Sequence, residues 1–249
     1  MNIVVAMKQI PDLQQIRIRN REPVLDGVPA TLGLIDKNAL EAAVLLKEEQ
    51  GGKVIVLSAG NEEVEETVKE ALAAGADEGF LILDDELEGA DGGVKARVLA
   101  EAIKKIDDVG LILFGEGSGD NYSGQVGSRV AELLDLPQVG YASKIEINDN
   151  GAVITRSLED GEEIIETSLP VVVSVLGDIN EPRIPSVTQI LKAGKKPKEV
   201  LELEDLELNL TGLPEIKTLS NLAPETDRKQ VKISTVEELI KALKTEGVI

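Results

Sequence analysis

Short apolar runs that alternate with segments of helical periodicity constrain the fold of this chain more than any other feature. The runs are mainly aliphatic, as strands buried on both faces of a sheet are, and they occupy residues 2–8, 54–57, 80–83 and 111–114. The intervening and following segments repeat apolar residues at helical spacing, over about 37–49, 62–74, 94–106 and 123–134. This alternation predicts an α/β fold with a parallel sheet flanked by helices.

The second half of the chain has a different pattern. Short alternating strands at 143–147, 152–157, 163–167 and 171–175 predict a meander, and residues 199–230 are irregular and acidic. Ser234 and Glu237 have the spacing of a capping box for a last helix that ends near Lys244. We therefore expect an α/β domain over residues 1–198, with a protruding segment at 180–198, and a C-terminal arm over 199–249.

Two local signals predict boundaries near the N-terminus. Asp36 directly precedes a helical pattern, so its carboxylate is expected to cap that helix. Alternating residues at 16–19, followed by a turn at Asp26-Gly27, predict a hairpin before the helix.

The composition excludes several kinds of chemistry, because the sequence contains no Cys and no His. Disulfides, thiolate nucleophiles, Ser-His-Asp triads, zinc sites of His and Cys, and imidazole acid–base catalysis are ruled out. Carboxylate sites for Mg²⁺ or Ca²⁺ remain open, as does binding of an organic cofactor that supplies its own reactivity.

The charge balance argues against a nucleic-acid or membrane partner. The chain has 26 Lys and Arg residues against 46 Asp and Glu, a formal net charge of −20, and such a field repels phosphates. The N-terminus has the pattern of a strand rather than a signal peptide, and no apolar run approaches the roughly 20 residues of a membrane helix. We expect a soluble cytoplasmic protein that does not insert into membranes.

A glycine-rich loop after the fourth predicted strand is the first candidate site. Its glycines allow backbone to approach a ligand closely, and they are Gly115, Gly117 and Gly119. The next residues are expected to present free N–H groups at a helix N-terminus, where phosphate is favoured: Ser123, Gly124, Gln125 and Val126. The loop matches neither a Walker loop nor the dinucleotide fingerprint. The alternative is a flexible turn before an ordinary helix start.

Small residues at other predicted strand ends extend this candidate site. They lie in Ala6-Met7-Lys8, in residues 33–36 and in Ser58-Ala59-Gly60. Because ligands of such folds bind at the carboxyl ends of the strands, these segments and the loop at Gly115 are expected to form one crevice. The crevice would have room for a flat ring against backbone. The alternative is that small residues only allow helices to pack on the sheet.

A basic segment with apolar residues is a candidate docking surface. No acidic residue lies between Arg183 and Lys198, although the chain as a whole is strongly acidic. The cations are Arg183, Lys192, Lys195, Lys196 and Lys198, and the apolar residues are Ile184, Val187, Ile190 and Leu191. An apolar anchor surrounded by positive charge suits an acidic partner protein. The alternatives are a solvated charge run and an unspecific RNA contact, which the lack of aromatics for base stacking disfavours.

Five spaced motifs, in order, resemble the beta subunit of electron-transfer flavoprotein over essentially the whole chain. They are Val5-Ala-Met-Lys-Gln-Ile-Pro-Asp12, Asp36-Lys-Asn-Ala-Leu-Glu-Ala-Ala43, Ala71-Leu-Ala-Ala-Gly-Ala-Asp77, Gly115 with Asp120 and Gln125-Val-Gly127, and Asn180-Glu-Pro-Arg183. Two features depart from the family pattern. Leu34-Ile35 precedes Asp36 where many members have Asn-Pro, and the segment from Asp120 to Gln125 matches the motif of electron-bifurcating members only in part.

The resemblance implies a Rossmann-like fold of the adenine-nucleotide α-hydrolase type, and a heterodimer with an alpha subunit that holds most of the redox-active FAD. Members are electron carriers rather than enzymes. They pass electrons from acyl-CoA or other dehydrogenases towards a quinone-linked oxidoreductase or another acceptor. The beta subunit binds AMP or, in bifurcating members, a second FAD, and the sequence leaves this choice open.

The resemblance also implies which residues form the nucleotide site and which form the docking surface. The residues carried over to the nucleotide site are Ala6, Asp36, Ser58, Ala59, Gly115, Asp120, Ser123, Gly124, Gln125 and Val126. Residues 183–198 fall in the family's recognition loop, with Val187 at its hydrophobic anchor. The C-terminal arm is expected to pack partly on the alpha subunit.

Two other functions compete with this interpretation. A stand-alone adenine-nucleotide sensor of the universal-stress type would explain the loop at Gly115, but not the basic segment or the length beyond residue 142. A carboxylate-metal hydrolase would use Asp84, Asp85 or Asp120, which are more simply explained as solvated loop residues.

Overall fold

The structure is a computed structural model that describes residues 1–208, 210, 216–225 and 230–249. These residues fall into two compact units. The larger unit comprises Met1–Ile16 and Leu25–Leu219, and the smaller comprises Arg17–Val24 and Ser220–Ile249.

The described residues form strands and helices whose bounds are as follows. The strands are β1 (Asn2–Ala6), β2 (Gln9–Pro11), β3 (Arg17–Arg19), β4 (Glu22–Val24), β5 (Ala30–Leu32), β6 (Lys53–Gly60), β7 (Glu78–Leu83), β8 (Val109–Gly115), β9 (Gln138–Asn148), β10 (Gly151–Leu158), β11 (Gly161–Thr167), β12 (Val171–Val175) and β13 (Lys198–Leu201). The α-helices are α1 (Leu34–Gln50), α2 (Val64–Ala74), α3 (Gly92–Lys104), α4 (Val126–Leu134), α5 (Val187–Ala193) and α6 (Val236–Thr245).

A nine-stranded sheet forms the centre of the larger unit, in the order β11-β10-β9-β12-β8-β1-β6-β7-β13. The neighbours from β12 to β13 pair in parallel, whereas β9, β10 and β11 form an antiparallel meander at one edge. The structure thus confirms the predicted α/β fold class. The chain passes from β1 to β6 and β7 on one side and then returns to β8 on the other, so strand order reverses between β1 and β8.

Helices cover both faces of this sheet. Because side chains alternate along each strand, one strand contributes residues to two cores. In β1, Ile3 and Val5 belong to the core formed with α1 and α2, whereas Val4 and Ala6 belong to the core formed with α3 and α4. Both strand faces are buried, which explains why the central strands are continuous apolar runs rather than alternating ones.

The position of β12 differs from the prediction, which placed it last in the meander. The strand lies between β8 and β9 and pairs in parallel with both. Val171, Val172, Val173 and Val175 are completely buried, because an interior strand has covered faces and two paired edges. The meander therefore consists of β9, β10 and β11 alone.

The prediction that Asp36 caps the first helix is wrong. Helix α1 begins at Leu34 with Gly33 in the capping position, and no side chain caps it. Asp36 lies in the first turn and is buried. Its carboxylate instead contacts strand ends, as described below for the candidate site.

The chain continues into the larger unit after the predicted domain boundary at residue 198. Strand β13 pairs with β7 at the sheet edge, and Leu203 and Leu206 are buried in the core shared with α3 and α4. This unit extends to Leu219. Residues 199–206 are therefore ordered elements of the sheet layer rather than irregular arm.

The smaller unit contains the β3–β4 hairpin and α6. The hairpin turn lies at Asn20 and Arg21, which both have left-handed backbone, and not at Asp26-Gly27 as predicted. The predicted cap of α6 is displaced by one residue, because the hydroxyl of Thr235, not Ser234, accepts the N–H of Glu238. Among the described helices, none has the length and apolar character required to cross a membrane.

The centre and the edge of the sheet predict different costs for the same truncation. Ile112 in β8 is fully buried, whereas Ile164 in β11 is 73% exposed. We expect Ile112→Ala to lower the free energy of unfolding by about 2–5 kcal/mol, because it leaves a cavity in a packed core. Ile164→Ala should change it by less than about 0.5 kcal/mol. Urea unfolding of both variants measures these values, and similar losses would contradict the described packing.

Candidate functional site

A cavity of about 420 Å³ lies at the carboxyl ends of the parallel strands. Ala6, Ala59, Gly115 and Ser174 place β1, β6, β8 and β12 in its wall. The cavity therefore lies where strand order reverses between β1 and β8, which is the position at which open α/β sheets bind ligands. Its volume is within the range of small-molecule sites.

Asp36 joins the elements that form the floor of this cavity. Its Oδ2 accepts the backbone N–H of Lys8 at 2.7 Å, and the backbone N–H of Gly115 also stabilises the ionised carboxylate. Burial nevertheless raises the pKa of Asp36 to about 7, because loss of hydration outweighs both N–H groups and the charge of Lys8. A carboxyl at the start of α1 thus connects the ends of the two strands that flank the reversal.

Gly115 and Gly124 occupy positions that a larger residue would not fit. A Cβ at Gly115 would lie 2.7 Å from Oδ1 of Asp36. Gly124 has φ +62°, and a Cβ there would lie 3.1 Å from the carbonyl oxygen of Glu116. Glycine at position 115 lets the backbone approach the Asp36 carboxylate, and glycine at position 124 lets the end of the loop approach Glu116 at its start.

Polar contacts hold the loop between β8 and α4. The Lys8 ammonium binds Oδ2 of Asp120 at 2.5 Å, and the Ser118 hydroxyl donates to Asn121 at 3.0 Å. Partial burial would raise the pKa of Asp120, but the hydrogen bonds from Lys8 and Ser118 outweigh it and lower the pKa below its usual value. The Tyr122 hydroxyl donates to Glu116 at 2.6 Å. The loop is therefore tied to β1 and to itself.

Helix α4 begins three residues later than the sequence predicts. It starts at Val126, with Gln125 in the capping position and no side-chain cap, so Ser123 and Gly124 belong to the loop. The backbone N–H groups of the first turn lack a side-chain acceptor, and Val126, Gly127 and Ser128 all line the cavity. An uncapped first turn offers N–H donors and a partial positive charge to an anion.

Helix α3 also begins at the cavity, and sequence reasoning missed this contribution. Oδ1 of Asp91 caps the helix by accepting the N–H groups of Gly93 and Val94, at 2.7 and 2.9 Å. Its Oδ2 accepts the N–H of Ile216 at 2.8 Å, and these hydrogen bonds lower the pKa of Asp91. Lys95, one turn further, lines the cavity. The sequence signal was available, since Asp91 followed by a helical pattern is an ordinary N-cap.

Eight of the ten residues predicted for the nucleotide site line the cavity. These are Ala6, Asp36, Ala59, Gly115, Ser123, Gly124, Gln125 and Val126. The other two are adjacent to it: the buried Ser58 hydroxyl donates to the Met7 carbonyl at 2.7 Å, and Asp120 binds Lys8. Of the other cavity-lining residues, Lys8 belongs to the predicted strand-end segment Ala6-Met7-Lys8, whereas Asp91, Lys95 and Arg129 were not predicted. Ligand contact by any of them stays a prediction.

The predicted docking segment contains α5 and an exposed apolar face. Ile184 is 94% exposed, Val187 74%, Ile190 55% and Leu191 73%. Lys192 and Lys195 are exposed beside them. These six residues are called the apolar–basic face below.

Two other predicted docking residues are engaged inside the larger unit. Arg183 binds Glu41 and Glu48 of α1, both at 2.7 Å. The Lys196 ammonium donates to the carbonyls of Leu72 and Ala76 at the end of α2, at 2.8 and 2.5 Å. The positive charges of Arg183 and Lys196 therefore fix the segment to helices, while Lys192 and Lys195 face solvent.

The carboxylates considered for a metal-dependent hydrolase have other contacts. Asp84 accepts the N–H of Glu86 and caps a short 3₁₀ turn, and Asp120 binds Lys8. Across the described ranges, no three acidic side chains are grouped in a way that would hold a metal ion.

Comparison with known sequences adds independent information. A sequence model of one family, described as electron transfer flavoprotein domain, matches residues 24–206. An "Electron transfer flavoprotein subunit beta" of Thermoanaerobacterium thermosaccharolyticum is 38% identical over 98% of this chain and 96% of its own length. A protein of the same name in Bacillus subtilis is 39% identical over 90% of this chain and 88% of its own length.

A third relative belongs to a named complex. The "Caffeyl-CoA reductase-Etf complex subunit CarD" of Acetobacterium woodii is 39% identical over 84% of this chain and 81% of its own length. The family match over residues 24–206 includes the ends of β6, β8 and β12 and the segment that contains α5.

The pKa of Asp36 predicts a pH dependence of stability. The folded protein binds this proton more tightly than the unfolded chain, whose carboxyl titrates near 3.8, so the contribution of Asp36 to stability is full below that pH and is lost as pH rises through about 7. Asp36→Asn does not titrate. Between about pH 5.5 and about pH 7.5, we expect the free energy of unfolding of the wild type to fall relative to the variant by about 2 kcal/mol. Parallel pH profiles in urea unfolding would contradict this.

Proposed function

The chain belongs to the electron transfer flavoprotein family as a beta subunit, and we propose that its cavity binds an adenine nucleotide while its apolar–basic face docks electron-donating dehydrogenases. The electron-transfer role comes from family membership. Nucleotide binding and dehydrogenase docking go beyond family membership, and the residues of this chain support both.

The proposal of a nucleotide rests on one observation: the cavity at the strand reversal combines bare backbone with the uncapped start of α4. The first-turn N–H groups of α4 are donors for a phosphate, and Gln125 and Ser128 add side-chain polar groups beside them. The small side chains of Ala6 and Ala59 leave room at the cavity wall for an aromatic ring. An aromatic ring and a phosphate are the two ends of an adenine nucleotide, so the residues present fit such a ligand.

The bound nucleotide is AMP or the adenylate part of a second FAD. Both contain the same adenine, ribose and first phosphate, so both would use the wall at Ala6 and Ala59 and the start of α4. AMP would have a structural role, whereas a second FAD would add an electron-bifurcating site.

Electron transfer itself needs a redox group that this chain does not supply from its side chains. The sequence has no Cys, no His and no Trp. FAD held mainly by an alpha subunit would supply the redox chemistry. The contribution of this chain is then to bind the nucleotide, to help hold the alpha subunit and to bring the donor protein close.

We assign contact with the alpha subunit to the smaller unit. Helix α6 has no buried side chain, and its apolar residues Val236, Leu239 and Ile240 recur at helical spacing and are exposed. An amphipathic helix of this kind is stabilised by packing its apolar face, and a heterodimer partner would provide the surface. This agrees with the expectation that the C-terminal arm packs on the alpha subunit.

The apolar–basic face is the proposed contact for acyl-CoA or other dehydrogenases. Four large aliphatic side chains are exposed together there, which is unusual for a surface without a partner. Lys192 and Lys195 would steer an acidic protein, and burial of Val187 and Leu191 would slow its release. A quinone-linked oxidoreductase or another acceptor would receive the electrons. Electron transfer of this kind requires no contact with nucleic acid.

Gly124→Val tests the nucleotide site. Valine at φ +62° is strained, and its Cβ would lie 3.1 Å from the Glu116 carbonyl oxygen, so the loop before α4 must move. We expect nucleotide retention to weaken by roughly tenfold. The measurement is the nucleotide released on denaturing the full chain purified with its alpha subunit, separated and quantified per heterodimer.

Gly161→Val is the matched control, because nothing lies within 4 Å of a Cβ at that position. The Gly161→Val heterodimer should keep the wild-type nucleotide content. One FAD with one AMP per wild-type heterodimer would indicate an ordinary electron carrier, and two FADs would indicate a bifurcating one. A wild-type heterodimer with no adenine nucleotide besides the alpha-subunit FAD would overturn the proposal.

Val187→Ala tests the docking face. Loss of two methyl groups from an anchor that the partner protein buries costs about 1.6 kcal/mol, which corresponds to about fifteenfold in affinity. We expect flavin reduction to need about fifteenfold more dehydrogenase for half-maximal rate, with unchanged nucleotide content. Val200→Ala, on the exposed edge strand β13, is the control and should behave as wild type. Equal rates for both variants at limiting dehydrogenase would refute the anchor assignment.

A further inference from the structure

Lys95 is a cation of the cavity whose ammonium has no hydrogen bond or ion pair within the described part of the chain. The other two cations in the wall have partners: Lys8 binds Asp120 at 2.5 Å, and Arg129 donates to the Gln125 side-chain oxygen at 2.9 Å. Lys95 lines the cavity from the first turn of α3. One ammonium is therefore left for a group that enters the cavity.

The environment of Lys95 makes this charge costly without a ligand. Burial lowers the pKa of Lys95, the nearby charge of Lys8 lowers it further, and the charge of Asp120 only partly opposes them. Asp120 is already bound to Lys8. A partly buried ammonium without a partner is stabilised strongly when an anion comes within hydrogen-bonding distance.

The backbone at the start of α3 has few donors left for this anion, because two of its first-turn N–H groups are already bound. Asp91 already accepts the N–H groups of Gly93 and Val94, and its other oxygen accepts the N–H of Ile216. In contrast, the first turn of α4 is uncapped and can bind one phosphate through N–H groups alone. The cavity thus has one anion position made of backbone and a separate one made of a lysine side chain.

We propose that Lys95 makes the cavity selective for nucleotides that carry a second phosphate group. The inference rests on the proposed binding of an adenine nucleotide and names the chemistry that this site prefers. The first phosphate binds at the start of α4, and the second pairs with the Lys95 ammonium. ADP and the diphosphate of a dinucleotide such as FAD share this chemistry, whereas AMP leaves Lys95 unpaired.

The experiment compares AMP, ADP and FAD as ligands. The full chain, freed of copurified nucleotide, is titrated with each by calorimetry. Wild type is compared with Lys95→Met, which keeps most of the side-chain length but removes the charge, and with Lys95→Arg, which keeps the charge. Lys105→Met is the matched control, because Lys105 is exposed at the other end of α3 and does not line the cavity.

We expect wild type to bind ADP roughly tenfold more tightly than AMP, the size of one charge-assisted hydrogen bond. Lys95→Met should lose this preference while its AMP affinity stays within about twofold of wild type. Lys95→Arg and Lys105→Met should keep the preference. Added salt should weaken ADP binding more than AMP binding in the wild type, Lys95→Arg and Lys105→Met, but not in Lys95→Met. If FAD follows ADP, the second phosphate of a dinucleotide uses the same residue; if only ADP shows the effect, the ligand is a mononucleotide.

Three results would overturn the inference. They are equal wild-type affinities for AMP and ADP, an ADP preference that persists in Lys95→Met, and an equal loss of AMP and ADP binding in that variant, which would indicate a structural role. The proposed function fails separately. If wild type binds none of the three nucleotides, the cavity is not an adenine-nucleotide site and both proposals fall together.

Discussion

The hydrogen bond from the Lys8 N–H to the Asp36 carboxylate joins the end of β1 to the first turn of α1, directly at the strand reversal. On the opposite side of the same carboxylate, Gly115 ends β8 so closely that a Cβ would not fit. Three elements from separate parts of the sequence are thus brought together by one side chain. The burial that raises its pKa to about 7 is the cost of that arrangement, and the cavity above depends on it.

Features with a local physical cause were predictable from sequence. Buried strands on both sides of the reversal are continuous apolar runs, and the glycine-rich loop follows β8 as expected. Features that depend on distant partners were not. Asp36 looks like a helix cap because its real partners, Lys8 and Gly115, are remote in sequence. The insertion of β12 between β8 and β9 is likewise a property of sheet order, which periodicity does not contain.

The lining of the cavity was predicted better for small residues than for charged ones. Glycine and alanine positions at strand ends follow from topology, so most of them line the cavity. Charges depend on pairing, which composition does not reveal. Of the cations counted in the predicted docking segment, Arg183 pairs with two glutamates and Lys196 binds carbonyls at and just after the end of α2. Conversely Lys95, which no motif singled out, is left without a described partner in the cavity.

Helix α1 has a consequence for how the two surfaces are positioned. Its first turn contains Asp36, and Glu41 and Glu48 on later turns bind Arg183, whose backbone continues into α5. Asn38 of the same helix exchanges hydrogen bonds with Asn180, just before that arginine. Helix α1 therefore contacts both the floor of the cavity and the start of the predicted docking segment. Because α1 anchors the segment that contains α5, a donor protein that docks on α5 would be held at a fixed position relative to the strand ends.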